Sequence, residues 1–252
     1  MEDYSEENPA YEKRFQMPED EELRERLKGV QHTVKDFQRE YPEVLSFSMY
    51  GSMVKDTATL ESDVDGTLFI DVTPTGDEEG DASALERVES GEYLNTFKTD
   101  LQDRLGLSAE QVGKDVKLET ISEEDVSTAA EKFVLSNELY KEERKFWEST
   151  KRDTGRTEDG MFGEMPVYEY EGEEPSAPDL SNNIKAMFNM DVGGGIHKYR
   201  QQFVNSLEHL EPDQAEDVCR SIGAYLSFTE GGKRKEMAKL PISLDDFKNK
   251  YL

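Results

Sequence analysis

The sequence predicts an α+β fold, with a sheet in the first half of the chain and helices in the second. Segments rich in β-branched and aromatic residues, with strand-like alternation, occur up to Ile121. Beyond Ile121, apolar residues recur mainly at the spacing that is typical of helices. At 252 residues, the chain is long enough for one large domain or two modest ones.

The N-terminal region is expected to contain a flexible segment followed by a helix. Residues 1–17 are polar, which predicts a flexible N-terminus. Pro18 then opens a predicted helix, because proline suits the first helical position and the acids after it suit the helix dipole. The apolar stripe of this helix consists of Leu23, Leu27, Val30, Val34 and Phe37.

Three strands and another helix follow within the predicted first domain, residues 18–150. The segment from Pro74 to Gly91 is rich in acids and glycine, which predicts a flexible loop. The regular elements are expected as strands at 44–49, 64–72 and 115–121 and a helix at Tyr93–Leu105.

The second half of the chain has almost no strand signal. A helix capped by Ser122 or by Ser127 is expected to run to about Trp147. Residues 151–180 resemble a linker because glycine, proline and acids dominate them. Within this linker, residues 165–170 fit either a short edge strand or a loop. Residues 181–252 form the predicted helical C-terminal domain, with helices at about 181–190, 196–210, 212–228 and 243–250.

A small-residue turn and a pair of carboxylates lie between the first two predicted strands. Gly51 and Ser52 end the first strand, and Asp63 and Asp65 begin the second. Residues two apart on a strand face the same way, so the two carboxylates project side by side and favour a cation between them. Backbone N–H groups of the turn, with the Ser52 hydroxyl, suit an anion. A metal-bound nucleoside triphosphate needs both kinds of site.

This pattern resembles the signature of the DNA polymerase beta-like nucleotidyltransferase superfamily. The signature is an apolar residue, Gly-Ser, a spacer of about ten residues and then Asp-apolar-Asp, and here Tyr50, Gly51, Ser52, Asp63 and Asp65 occupy its main positions. Gly66 departs from it, because the family usually has an apolar residue there. The layout is also similar to small-molecule nucleotidyltransferases, in which a helical domain completes the acceptor pocket. The resemblance implies a mixed sheet with flanking helices.

A third carboxylate is expected on a later neighbouring strand, because such sites hold two metal ions with three acids. Asp115, followed by Val116, a basic residue and Leu118, resembles the third-acid strand of the family. Glu119 lies on the same face of the predicted strand and is the alternative third acid.

The resemblance implies a magnesium-dependent nucleotidyltransferase. Asp63, Asp65 and Asp115 would hold two Mg²⁺ ions and act in catalysis. Gly51, Ser52 and Lys55 would bind the triphosphate of ATP or another nucleoside triphosphate. The expected reaction transfers a nucleoside monophosphate to a hydroxyl of a small molecule or a protein and releases pyrophosphate.

Composition limits the partners. The net charge is −27, which disfavours long nucleic acids because the protein surface repels their phosphate backbones. No apolar run approaches the length of a membrane span, and no secretory signal is visible, so we expect a cytoplasmic protein without membrane contact. The single cysteine, Cys219, excludes an internal disulfide and is expected to be buried.

Two other functions remain open from the sequence. The chain is alternatively an antitoxin-like interaction module, in which the helical half or the acidic surface carries the contact. It is also compatible with a domain that binds nucleotide without turnover. The three histidines and one cysteine lack zinc-like spacing, and no serine-hydrolase motif occurs.

Overall fold

The structure is a computed structural model that describes residues 20–55, 57–161, 163–229 and 242–252. The predicted flexible segment 1–17 and Pro18 lie outside these residues. Contacts divide the described residues into two compact units, one formed by those up to residue 130 together with those from residue 180 onwards, and one by those at 131–179. The predicted succession of a first domain, a linker and a C-terminal domain stays a prediction.

The regular elements of the described residues are helices and strands in mixed order, together with a 3₁₀ turn at Ser52–Val54. No helix among the described residues has both the length and the apolar composition that crossing a bilayer requires. In chain order the elements are α1 (Glu21–Glu40), β1 (Val44–Tyr50), β2 (Asp65–Asp71), α2 (Glu78–Ser90), α3 (Glu92–Leu105), β3 (Val116–Ile121), α4 (Glu123–Ser149), β4 (Arg152–Gly160), β5 (Gly163–Glu169), α5 (Asn182–Ala186), β6 (Met190–Val192), α6 (His197–Leu207), α7 (Pro212–Thr229) and α8 (Leu244–Tyr251).

The first unit is built on a mixed four-stranded sheet in the order β3-β2-β1-β6. Strands β2 and β3 are parallel, whereas β1 is antiparallel to both β2 and β6. The predicted α+β class, with a mixed sheet and flanking helices, is therefore confirmed. A parallel β2–β3 pair needs a long crossover, and α2 and α3 supply it.

One face of the sheet carries the main hydrophobic core. The predicted stripe of α1 is buried, and Asp20 caps the helix by accepting hydrogen bonds from the N–H groups of Glu22 and Leu23. The Phe97 ring lies 5.1 Å from that of Phe47, between centroids. The same Phe47 ring fills the space that a side chain at Gly66 would need, since a Cβ there would come within 2.3 Å of it. This contact explains why residue 66 is a glycine.

The opposite face of the sheet is more polar and carries the residues of interest. Side-chain alternation places Ser48, Tyr50, Asp65 and Thr67 there. Helix α5 is joined to this sheet by Asn183, whose Nδ2 donates to the backbone oxygen of Thr120 at 3.2 Å. The helices after residue 180 have their own aromatic cluster of Phe188, Phe203 and Phe247.

Residues 74–91 contain a helix, so the loop predicted there is wrong. Asp77 caps α2 by accepting a hydrogen bond from the N–H of Gly80, and Gly91 ends it in a left-handed conformation. None of the residues of α2 is fully buried. Because α2 has no buried apolar stripe, the sequence in this segment lacks the periodicity by which a helix is recognised.

Strands also occur beyond Ile121, where the sequence predicts almost none. Strand β6 is a three-residue edge strand that pairs with Phe47, Ser48 and Met49 of β1. It begins at the last residue of the predicted helix at 181–190, and that helix ends instead at Ala186. Cys219 is buried, as predicted.

The second unit contains the C-terminal part of α4 and the β4–β5 hairpin. The two strands pair antiparallel from Arg152 with Glu169 to Gly160 with Gly163. Most of the predicted linker is therefore a hairpin. Its strands are largely exposed and polar, so they lack the apolar alternation that marks a half-buried strand.

Candidate functional site

A glycine bend follows strand β1 and leads into the 3₁₀ turn at Ser52–Val54. Gly51 has φ 80° and ψ −157°, a conformation that is essentially restricted to glycine. A Cβ at this position would come within 1.9 Å of Oδ2 of Asp65. Backbone conformation and close approach therefore both require glycine beside this carboxylate.

Register brings Asp65 and Asp115 to the same end of the sheet. Tyr50 at the end of β1 pairs with Asp65 at the start of β2. The N–H of Gly66 donates to the backbone oxygen of Asp115 at 3.0 Å, and Gly66 is in register with Val116. Because β2 and β3 are parallel, the residues preceding this pair, Asp65 and Asp115, lie next to each other at the starts of their strands.

Asp63 and Lys55 complete the charged group around Asp65. Asp63 lies in the segment that enters β2 and is exposed, whereas Lys55 is half-buried and follows the 3₁₀ turn. The N–H of Lys55 donates to the backbone oxygen of Ser52 at 3.1 Å, which closes the turn. Of the predicted site residues, the structure thus gathers Gly51, Ser52 and Lys55 with all three aspartates into one region.

The pKa of the Asp65 carboxyl group reflects its burial and the charges around it. Its carboxyl group is half-buried, and this desolvation is the main reason why its pKa rises from an ordinary 3.8 to about 6. The negative charges of Asp115 and Asp63 raise the pKa further, and Lys55 opposes them. Asp65 is therefore a carboxylate in an environment that penalises its negative charge.

Tyr50 links the bend to the third aspartate. Its hydroxyl donates to the backbone oxygen of Asp115 at 3.0 Å. Burial is the main cause of its raised pKa, to which the nearby Tyr225, Asp65 and Asp115 contribute. The Tyr50 hydroxyl therefore stays protonated at neutral pH and acts as a donor that holds the start of β3.

Glu119 lies further along β3, in register with Phe69 of β2. It lies four positions after Asp115, a distance of about 13 Å along extended backbone. Burial raises the pKa of Glu119, and the positive charge of Lys117 partly opposes this rise. Asp63 and Asp115, and not Glu119, are the acids whose charges raise the pKa of Asp65.

Two polar residues from the C-terminal region adjoin Tyr50, because Tyr225 contributes to its raised pKa and Asn189 is bonded to Tyr225. Asn189 donates from Nδ2 to the hydroxyl of Tyr225 at 3.1 Å. The pKa of Tyr225 is raised mainly by burial, with a contribution from Glu119. No sequence pattern marks either residue, because Tyr225 comes close to Tyr50 only through tertiary folding. Tyr50 itself is marked in the sequence only as the apolar position of the motif.

The donor set of this region consists of oxygen atoms, the ligands that hard divalent cations prefer. Among the described residues, no three His, Cys, Asp or Glu side chains already form a group that could hold a metal ion. A cation bound here would therefore require side-chain rotation at Asp63 or Asp115, both of which are exposed. Such rotation is easy for exposed side chains, so the residues present are chemically suited to a hard cation.

Comparison of the chain with known protein families, curated proteins and solved structures finds no match.

Proposed function

We propose that this chain is a magnesium-dependent nucleotidyltransferase that transfers a nucleoside monophosphate from a nucleoside triphosphate to a hydroxyl group. One observation carries the proposal. The Asp65 carboxylate lies against the Gly51 bend while Asp63 and Asp115 raise its pKa. A bound divalent cation would relieve this repulsion, and the adjacent bend offers backbone donors to phosphate oxygens.

Asp63, Asp65 and Asp115 hold the metal ions in this proposal. Bound Mg²⁺ supplies charge neutralisation at the phosphates and lowers the pKa of the attacking hydroxyl. The residues around Gly51 and Ser52 hold the β- and γ-phosphates, and the ammonium group of Lys55 adds positive charge beside them. Tyr50 positions Asp115 through its hydrogen bond to the backbone oxygen of that residue.

The reaction is a single displacement at the α-phosphorus. The acceptor oxygen forms a bond to that phosphorus, and the bond from the α-phosphorus to the bridging oxygen breaks, which releases pyrophosphate. Asp115 accepts the proton of the acceptor hydroxyl. The acceptor is a small molecule or a protein side chain, because a net charge of −27 disfavours long nucleic acids.

The first experiment tests whether the chain binds a nucleoside triphosphate together with Mg²⁺. Thermal melting is followed with ATP, CTP, GTP or UTP, each with and without Mg²⁺. At least one triphosphate should raise the melting temperature only when Mg²⁺ is present, because a ligand that binds the folded state stabilises it. Failure of all four triphosphates would overturn the proposal.

The second experiment tests the assigned residues and turnover. The double variant Asp63→Asn with Asp65→Asn should lose the Mg²⁺-dependent stabilisation and any pyrophosphate release. Glu86→Gln with Glu89→Gln removes the same charge from exposed positions on α2 and serves as the matched control. Pyrophosphate release is measured with aminated hydroxyl compounds and with the chain itself as acceptor. Binding without release under all acceptors would favour a nucleotide-binding module instead.

A further inference from the structure

An exposed apolar face runs along α4 within the second unit. Leu135, Leu139 and Phe146 have relative exposures of 60%, 61% and 69%. At about 100° per residue, these three positions lie within about 40° of one another around the helix axis. They span about 16 Å along the helix, or three turns. We call these three side chains the α4 apolar face.

A groove begins at the C-terminal end of the α4 apolar face. It encloses about 670 Å³, and its apolar lining includes Phe146 and Trp147. The Trp147 ring stacks on Tyr170, with centroids 4.0 Å apart and ring planes 10° from parallel. This stacking holds the indole in place, so the groove has a rigid aromatic floor.

Glutamates surround this aromatic floor. Two of them are paired, Glu174 with Arg144 at 3.2 Å and Glu171 with Arg152. The others form no ion pair within the part of the chain that the structure describes. The complete acidic lining is Glu142, Glu143, Glu171, Glu173 and Glu174.

The charge of the whole unit has the same sign as the groove. Residues 131–179 contain fourteen acidic and seven basic side chains, a net charge of −7. Such a surface attracts cations and repels anions. A second copy of this chain is disfavoured as the occupant, because each copy carries a net charge of −27.

We propose that the α4 apolar face and the adjoining groove are a docking surface for a basic amphipathic helix of a partner protein. The apolar side of such a helix covers Leu135, Leu139 and Phe146, and its lysines or arginines reach the glutamates around Trp147. Apolar anchors at helical spacing with flanking charges are the usual features of helix-in-groove recognition. A small polyamine satisfies only the charges and leaves the leucines uncovered. This proposal goes beyond the proposed enzymatic function and does not depend on it.

Trp147 provides the measurement, because it is the only tryptophan of the chain. The probe is a synthetic leucine–lysine peptide of about 14 residues whose leucines repeat at the helical period. Titration of the full chain with this peptide should shift the Trp147 fluorescence in a saturable manner. High salt, about 0.5 M, should weaken the binding. A leucine–glutamate peptide of the same pattern should not bind.

Two variants test the two components of the surface separately. Leu135→Ser with Leu139→Ser removes the apolar anchors, and Glu142→Gln with Glu143→Gln removes two charges. Each should weaken the peptide by about tenfold or more, as is usual for central interface residues. The exposed pair Glu86→Gln with Glu89→Gln removes the same charge outside this unit and should leave the affinity within about twofold. Circular dichroism confirms that each variant is folded.

Four outcomes would overturn the proposal. The peptide does not bind, or the control pair weakens it as much as the Glu142 and Glu143 pair does. Spermine alone reproduces the fluorescence shift and the leucine variants have no effect, which would indicate a small polycation site. Sedimentation without peptide shows a dimer that the leucine variants dissociate, which would identify a second copy as the occupant.

Discussion

Gly51 and Asp65 share one small space at the end of the sheet. A Cβ on Gly51 would overlap the Asp65 carboxylate, and the backbone of Gly51 is already in a conformation that suits glycine alone. Gly76 also has positive φ, but a Cβ there would meet nothing within 4 Å. Substitutions at these two glycines therefore distinguish the cost of backbone strain from the cost of steric overlap.

Gly51→Ala should lower the free energy of unfolding by about 3 kcal/mol, from strain and overlap together. Gly76→Ala should cost only about 1 kcal/mol, because it carries the backbone strain alone. Urea denaturation of both variants measures the difference. Equal costs would show that the space beside Asp65 is not restricted.

Asp65→Asn should stabilise the metal-free protein at about pH 7. The folded-state pKa of Asp65, about 6, exceeds its ordinary value, so folding favours the protonated carboxyl. The penalty is therefore present above about pH 6 and disappears as the pH falls towards 4. A shift of this size corresponds to about 3 kcal/mol, and solvent screening of a half-exposed group reduces the expected gain to about 1 kcal/mol.

The measurement is the difference in unfolding free energy between Asp65→Asn and the unmodified chain, at about pH 7 and about pH 4.5. The difference should shrink at the lower pH. Asp63→Asn, at an exposed position, should change stability by less than about 0.5 kcal/mol and serves as the control. A loss of stability in Asp65→Asn at neutral pH would contradict the expected repulsion.

At the scale of single elements, burial decides which helices and strands can be recognised in the sequence. Helix α1 buries five apolar residues on one stripe, and the predicted stripe is confirmed. Helix α2 has no buried residue. Its capping residues, an aspartate and a glycine, are hard to recognise in a segment that is rich in acids and glycine. Strand β6 is only three residues long, so it shows no alternation by which a sequence pattern could identify it.

A buried arginine, Arg200, contacts the backbone just before strand β6. The Arg200 guanidinium donates to the backbone oxygens of Met187 and Asn189, the second at 2.6 Å, just before the strand. Arg200→Met should cost about 3–5 kcal/mol, because buried carbonyl oxygens lose their donor and a buried polar network is broken. Amide exchange at Met190–Val192 should become faster at the same time.

An exposed arginine provides the comparison. Arg39 pairs with Asp36 at 2.8 Å on the surface of α1, and Arg39→Met should change stability by less than about 1 kcal/mol. If Arg200→Met cost no more than this surface variant, the two backbone contacts would not support the edge of the sheet.

At the scale of the whole molecule, charge is the dominant feature. A net charge of −27 produces repulsion that opposes the compact state. Salt screens this repulsion, with a Debye length of about 10 Å at 0.1 M. Raising the KCl concentration from about 0.02 M to about 0.5 M should therefore raise the melting temperature. A melting temperature that fell with KCl would show that attractive ion pairs outweigh the net repulsion.

The sequence alone determined the local features. These are the apolar stripes of helices, the runs of strand-forming residues and the spacing of Asp63 from Asp65. Each depends on residues close together in the chain, because each reflects the burial or direction of one element. The sequence also sets the net charge, and with it the kind of partner that the surface attracts.

The folded structure decided which distant groups meet. The register between β2 and β3 puts Asp115 beside Asp65 and leaves Glu119 about 13 Å along the strand. The fold also brings Tyr225 close to Tyr50. Such pairings depend on hydrogen bonds and packing between segments far apart in sequence, for which no local periodicity exists.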